Sequence, residues 1–486
     1  MNRLFIVLGL ILLLSSCLPI PQQSYDLDLP KPVYLHSPLT VKTEYNIIDG
    51  FAEPNTESKY NKAIYTRYYF TDSNAATVLV LVPGIFAGST DLAIIARQLV
   101  AAIPDLEVWV LDRRANLLEN QSYFQKAIKS RNPEIAYDYY IKNYEQENGY
   151  QPIKAEDISF ISHWTLDVHL KDLHEIIKLA ENRFDKVILG GHSLGASIVA
   201  FYSAYNFANL GKDPGYRHID GLFLIDGVLG RTGAFNRSPD SISLGPWELV
   251  PGEDSLDSET GLAYLPNLEY YYLKAQTLRL FAKYKPDDLA KPEFSSFPIT
   301  NRAALGVSID DDYSSSIVFS SSAGKAIGAE FSGNIAPFLL GDVEGAYSKS
   351  VVGVAADSEY VSWQNDEFVD VDYYAKNADS KFANQNEWYF PLRLLLDMSK
   401  YELSLEHTPN YVATKEVDVP TLAIGAARGL VRNIDGFSSY SNIRLGSQFS
   451  LFVVPSFTHL DIIRAKDNPV VSLFKIWLET NYSKVN

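Results

Sequence analysis

An α/β architecture is the fold class this sequence predicts, with a mostly parallel central sheet, helices on both faces and one large insertion. Three observations predict it. Short apolar runs recur where half-buried strands would alternate, as in "VLVLV" (78–82), "VIL" (187–189) and "LFLI" (222–225), and this marks strands covered on both faces. Segments with helical spacing stand between these runs. Between about 230 and 415 the rhythm lapses, and it resumes afterwards.

The elements follow in order. "PVYLHSPLTVKTEYNI" and "AIYTRYYF" read as early antiparallel strands. "ATVLVLVPGIFAGS" (76–89) is a buried strand that enters a loop at Pro83-Gly84. The next stretch carries Leu92, Ile95, Ala96, Leu99 and Val100 at helical spacing, with Thr90 as the predicted N-cap. "LEVWVLDRR" (106–114) is a strand with a polar end, and Leu166, Leu170, Leu173, Ile177 and Leu179 form the stripe of an amphipathic helix. "KVILGGHSLGASIVA" then gives a strand and a helix, and "IDGLFLIDG" another strand. After the lapse, "VPTLAIGAARG" and "QFSLFVVPSFTHLD" read as strands and "PVVSLFKIWLETNY" as the closing helix. The intervening segment is rich in Tyr and Phe and includes the helical "LEYYYLKAQTLRLFAKY". It is too long to be a structureless loop, so it is expected to be a folded cap.

At the N-terminus, Arg3 precedes "LFIVLGLILLL", a run too short to cross a bilayer comfortably, which ends in "LSSC" at Cys17. That ending resembles the cleavage box of bacterial lipoproteins, whose cysteine becomes the lipid-modified first residue. Cys17 is the only cysteine, so no internal disulfide can form. The proline-rich "LPIPQQSYDLDLPKP" reads as an extended tether. The expected layout is a signal peptide at 1–16, a tether at 17–40, core at 41–230, a cap or lid insertion at 231–415 and core again at 416–486. The expected location is the cell envelope, with the body exported and held at a membrane by lipid on Cys17. A formal charge of −17, from 42 basic and 59 acidic residues, argues against nucleic acid as a partner, because phosphates call for a basic footprint.

Gly191-His192-Ser193-Leu194-Gly195 lies between a strand and a helix, the pattern of a nucleophile elbow in which a tight turn projects the serine hydroxyl above the sheet. With "VPGIFAGS", "LDRR", "GHSLGA", "LIDG" and "THLD" in this order, the chain resembles the α/β-hydrolase superfamily over about 70–230 and 415–486. The resemblance implies an α/β-hydrolase fold with Ser193 as nucleophile. It also implies His459 as base, since the residue follows the last strand, and the backbone amides of Ile85 and Leu194 as an oxyanion hole. One departure stands out. Many members carry the triad acid in a Gly-x-x-Asp turn after the penultimate strand, whereas here the turn is Gly425-Ala426-Ala427-Arg428. Two substitutes fit the order serine, acid, histidine: Asp226 at the end of the strand after the nucleophile's helix, and Asp435 in "RNIDGF". Asp226 is favoured because a strand end fixes a side chain better than a mid-loop position.

The implied activity is that of a serine hydrolase cleaving a small-molecule or lipid ester through an acyl-enzyme, with no metal or other cofactor. The alternatives are acyl transfer or amide cleavage at the same site, and a non-catalytic surface lipoprotein that keeps the fold for binding. The missing aspartate is the support for the last. Other residues read as structural. His192 should point away from Ser193 and shape the turn, and His163, His169 and His174 lack metal-ligand spacing. Asp310, Asp311 and Asp312 lack EF-hand spacing and read as a solvated loop. Asp112-Arg113-Arg114 reads as a structural ion pair at the catalytic end of the sheet, and the cap aromatics as the insertion's own core.

Overall fold

The computed structural model describes residues 29–71, 74–208, 210–227, 235–237, 242–244, 247–250, 268–313, 320–335, 348–377, 385–400, 416–432 and 449–482. Cys17, the leader and the first half of the tether lie outside the described residues, as does Asp435.

Eight strands form the main sheet: β1 (Lys42–Asp49), β2 (Lys62–Tyr69), β3 (Thr77–Val82), β4 (Leu106–Asp112), β5 (Lys186–His192), β6 (Gly221–Ile225), β7 (Thr421–Arg428) and β8 (Phe449–Thr458). Their spatial order is β1-β2-β4-β3-β5-β6-β7-β8. β1 and β2 run antiparallel to their neighbours, and the other pairings are parallel. Every residue of β3, β4 and β6 is buried, including Glu107 and Asp112 of β4.

The side chains of each strand divide between two faces. Val78, Val80 and Val82 pack with α2 (Leu166–Glu181) and α3 (Leu194–Ala204). Leu79 and Leu81 pack with α1 (Ala93–Ala102) and the closing helix, Pro469–Tyr482. Each fully buried Val or Leu contributes roughly 1.5–3 kcal/mol of transfer free energy, so this double-sided core holds the sheet together. α2 begins where Thr165 accepts the amide of Val168 at 3.4 Å. α1 begins differently from expectation. A 3₁₀ turn, Ser89–Leu92, precedes it, so Thr90 is not its cap, and Leu92 at the N-cap makes no side-chain bond. The Ser89 amide instead donates to Asp112 Oδ1 at 2.6 Å, which pins the turn to the end of β4.

Between β6 and β7 lie the long helix Leu268–Tyr284, the helix Asn301–Ile309 and two antiparallel pairs, Lys325–Ile327 with Ser362–Gln364 and Ala329–Ile335 with Ser348–Val354. This insertion shares an aromatic core with the excursion between β4 and α2. Phe124, Tyr140, Tyr150 and Trp164 pack in one cluster with Phe281, Trp388 and Tyr389. Tyr150 and Tyr389 join their hydroxyls at 2.6 Å. The "NEWYF" aromatics are core residues, but not of the insertion alone as expected: Trp388 and Tyr389 pack with the excursion after β4, and Phe390 joins the core of the main sheet. No described helix is long and apolar enough to cross a membrane.

Candidate active site

β5 ends at His192, and Ser193 follows as the first residue before α3. Its backbone takes φ 56° and ψ −123°, a left-handed conformation that costs a non-glycine residue about 1–3 kcal/mol and persists only where the surroundings impose it. They do so here. The Ser193 amide donates to the Ile225 carbonyl at 3.0 Å, and a Cβ on Gly195 would overlap the Val82 carbonyl. The turn is thus wedged between β3 and β6, which explains why the sequence stops its strand so abruptly. Ser193 is 5% exposed and His459 2%, so both side chains are buried.

His459 follows β8 directly, and its Nδ1 lies 2.6 Å from Asp226 Oδ2. Asp226 itself follows β6 and has φ 38°. Burial raises the Asp226 pKa, but the bond and charge of His459 and the amides of Leu430 and Val431 outweigh it and hold the carboxyl below its ordinary value. An ionised Asp226 accepts, so His459 Nδ1 carries the proton and Nε2 is left as the basic nitrogen.

The turn that lacks the expected aspartate supplies the rest of the cradle. Asp226 Oδ1 accepts the amides of Ala426 at 3.0 Å and Val431 at 2.9 Å, and Oδ2 accepts that of Leu430 at 2.9 Å. A Cβ on Gly429 would overlap Asp226 Oδ2, so glycine is what admits the carboxylate there. Arg428, in the position of the missing aspartate, turns to the insertion and meets Ser322 Oγ at 3.1 Å and the Asp311 carboxylate.

His192 does not act on Ser193. Its Nε2 donates to the His459 carbonyl at 3.0 Å, and its ring stacks on that of His459 with centroids 4.5 Å apart. Burial, and then the neighbouring His459 charge, push its pKa down to about 3, so it stays neutral. His192 shapes the site by holding the His459 backbone. His169 and His174 are buried, and His174 Nδ1 meets the Tyr202 hydroxyl at 3.0 Å.

The loop after β3 carries Ile85, whose side chain is buried, and Phe86, which has φ 55°. A Cβ on Gly84 would lie 3.1 Å from Ser193 Cβ, so this loop abuts the serine. The amides of Ile85 and Leu194 have no acceptor among the described residues.

Two straps of the insertion reach this site, and sequence reasoning missed both. One runs along the loop after β3: Gly88 donates to the Gln385 carbonyl and Glu387 donates to the Phe86 carbonyl, each at 2.9 Å. The other meets the His459 turn, where Asp461 accepts the amides of Ser322 at 2.8 Å and Thr458 at 2.9 Å. Thr458 Oγ1 also donates to the Ser320 carbonyl at 3.0 Å. Burial raises the Asp461 pKa to about 6. The "THLD" motif held this signal, since a carboxylate two residues past the histidine can bond back to its own turn.

The Asp310–Asp312 loop is solvated only at its far end: Asp312 is exposed, whereas Asp310, contrary to expectation, is not. Asp310 is fully buried and accepts the amides of Ala323 and Asp312 within 2.9 Å. The Asp310, Asp311 and Glu367 carboxylates gather within 4.8 Å of one another, and Arg428 is the cation that meets them, through Asp311. In Asp112-Arg113-Arg114, Arg114 forms the expected buried ion pair, with Asp172 at 2.5 Å. Arg113 pairs with Glu387 at 2.9 Å.

No family model and no curated protein matches this chain. Among solved structures, a protein of Sulfolobus solfataricus assigned as a lipase is 14% identical, with 93% of this chain and 99% of that chain covered and a TM-score of 0.43. A monoglyceride lipase of Saccharomyces cerevisiae is 10% identical over 95% of this chain and 100% of its own, with a TM-score of 0.37. A peroxisomal α/β-hydrolase of the same yeast is 15% identical over 92% and 91%, also at 0.37. The strand order, the serine turn after β5 and the histidine after β8 carry the assignment. The fold is the α/β-hydrolase fold. The carboxylate that meets His459 follows β6, not β7.

Proposed function

We propose that this protein is a serine hydrolase acting on carboxylic esters. The observation that carries the reading is the bond of His459 Nδ1 to an ionised, amide-cradled Asp226, in the same site as Ser193 on its strained turn. His459 takes the Ser193 proton at Nε2, and Ser193 Oγ attacks the acyl carbon. Asp226 stabilises the imidazolium so formed. The amides of Ile85 and Leu194 receive the developing oxyanion, where losing one donor costs about 3 kcal/mol. The imidazolium then returns its proton to the leaving alcohol, and water releases the acid by the same steps in reverse. The non-catalytic alternative drew on the missing aspartate, and Asp226 supplies an equivalent carboxylate from another strand.

Fluorophosphonate labelling tests this reading. A stoichiometric adduct lost in Ser193→Ala supports it, and no adduct on the folded wild type sinks it. We further propose that the body is anchored by lipid on Cys17, on the strength of the apolar run and the "LSSC" box. Incorporation of labelled palmitate that disappears in Cys17→Ser is the expected result, and unlabelled wild type would overturn it.

A further inference from the structure

We infer that Arg113, clamped by Glu387 from the insertion, is the positioning residue that sets the Ile85 amide of the oxyanion hole, a step that rests on the serine-hydrolase reading above.

Arg113 follows β4 and is 3% exposed. Its guanidinium lies inside the curve of the loop after β3 and donates to three of the loop's carbonyls: Pro83 at 3.0 Å, Gly84 at 3.1 Å and Ala87 at 3.2 Å. These bonds fix which way the peptide planes face. In a trans peptide the C=O of one residue and the N–H of the next point to opposite sides, and no described peptide is cis. With the Gly84 carbonyl drawn to Arg113, the Ile85 N–H is directed away from the guanidinium, on a loop whose Gly84 packs against Ser193. Rotating that peptide would bring a carbonyl to where the oxyanion forms and turn attraction into repulsion. Phe86, at φ 55°, is the strained residue that lets the chain continue after this orientation.

The insertion holds the arrangement from the other side. Glu387 Oε2 lies 2.9 Å from Arg113 Nη1, and both side chains are at most 1% exposed. The Glu387 backbone also donates to the Phe86 carbonyl, and Phe390 packs edge-on against Phe86 with centroids 4.8 Å apart. A guanidinium is suited to this task because its planar fork serves several acceptors at once, whereas a lysine ammonium is a single compact point. A residue far along the chain from both the serine and the histidine thereby completes the machinery through Arg113.

The test uses the full chain, p-nitrophenyl butyrate as substrate and butylboronic acid as the probe of the oxyanion hole, because its tetrahedral adduct on serine places an oxygen there. Arg113→Lys keeps the charge but cannot span the three carbonyls. It should lower kcat about 100-fold and weaken boronate inhibition by about the same factor, with KM within about threefold of wild type and the pH profile unmoved. Glu387→Gln, which keeps Arg113 and a group of similar shape, should shift both quantities the same way by about tenfold and decides the matter if Arg113→Lys does not fold. A folded variant with unchanged kcat, or one that loses kcat while boronate binds as before, overturns the positioning role. Wild type that neither turns over esters nor binds boronate overturns the parent reading and this one with it. An active wild type with indifferent variants overturns this one alone.

Discussion

The sheet and the insertion are both well packed, but they are built on opposite plans. The sheet buries aliphatic side chains that are close in sequence, as where Val78, Val80 and Val82 of one strand meet the neighbouring helices. The insertion buries rings that are distant in sequence, and many of those rings carry a hydroxyl that needs a partner, such as Tyr150 with Tyr389 and Tyr144 with Glu269. The sheet holds Asp226, the proposed triad acid, below the ordinary carboxylate range. The insertion holds several carboxylates above it: burial raises Asp310 to about 8 and Glu387 to about 7. The sheet thus supplies a charged, preorganised centre, and the insertion supplies a costly polar frame around it.

The largest expected effect falls on the sheet side. Ser193→Ala should reduce ester turnover by about 10⁴-fold or more, and Asp226→Asn by about 10³–10⁴-fold, with thermal unfolding of the serine variant unchanged. If Asp226→Asn turns over substrate normally, the acid is elsewhere and the contrast in charge loses its meaning. Next comes packing. Leu189→Ala, in the middle of β5, should cost about 2–5 kcal/mol by denaturant unfolding. Tyr150→Phe removes one partner of a buried hydroxyl pair and should cost only about 1 kcal/mol. Equal losses would show that the two cores are not built differently.

The smallest effect is the dependence on pH, and its sign differs between the regions. The folded pKa of Asp226 is lowered, so its contribution to stability is present above the ordinary carboxylate range and is lost as pH falls through the lowered value. Glu387 is raised from 4.5 to about 7, so its contribution is fully present below 4.5 and is lost as pH rises through about 7. Stability measured from pH 5 to 8 should therefore fall less steeply in Glu387→Gln than in wild type. Parallel curves would refute the assignment to Glu387.

The same contrast explains what could be read from the sequence. Apolar runs and helical stripes are local signals, so the strands from β3 onward and the helices Leu268–Tyr284 and Pro469–Tyr482 were legible from the residues alone. So was the serine turn, because its glycines and strand context sit within a few residues. The acid could be narrowed to Asp226 or Asp435, but the three amides that hold it belong to a turn 200 residues further on, and backbone donors leave no mark in residue identity. The straps at Glu387 and Ser322, and the Thr90 cap displaced by a 3₁₀ turn, escaped for the same reason. Each depends on a partner that only the folded chain brings near.

The cradle of Asp226 also sets the order in which this protein becomes complete. Its serine is made early, whereas the imidazole and the amides that hold the carboxylate all come after the insertion. A chain still emerging from the ribosome carries Ser193 before the histidine and the amides that the proposed hydrolase needs, so on the reading above it should gain activity only once its last strand is in place.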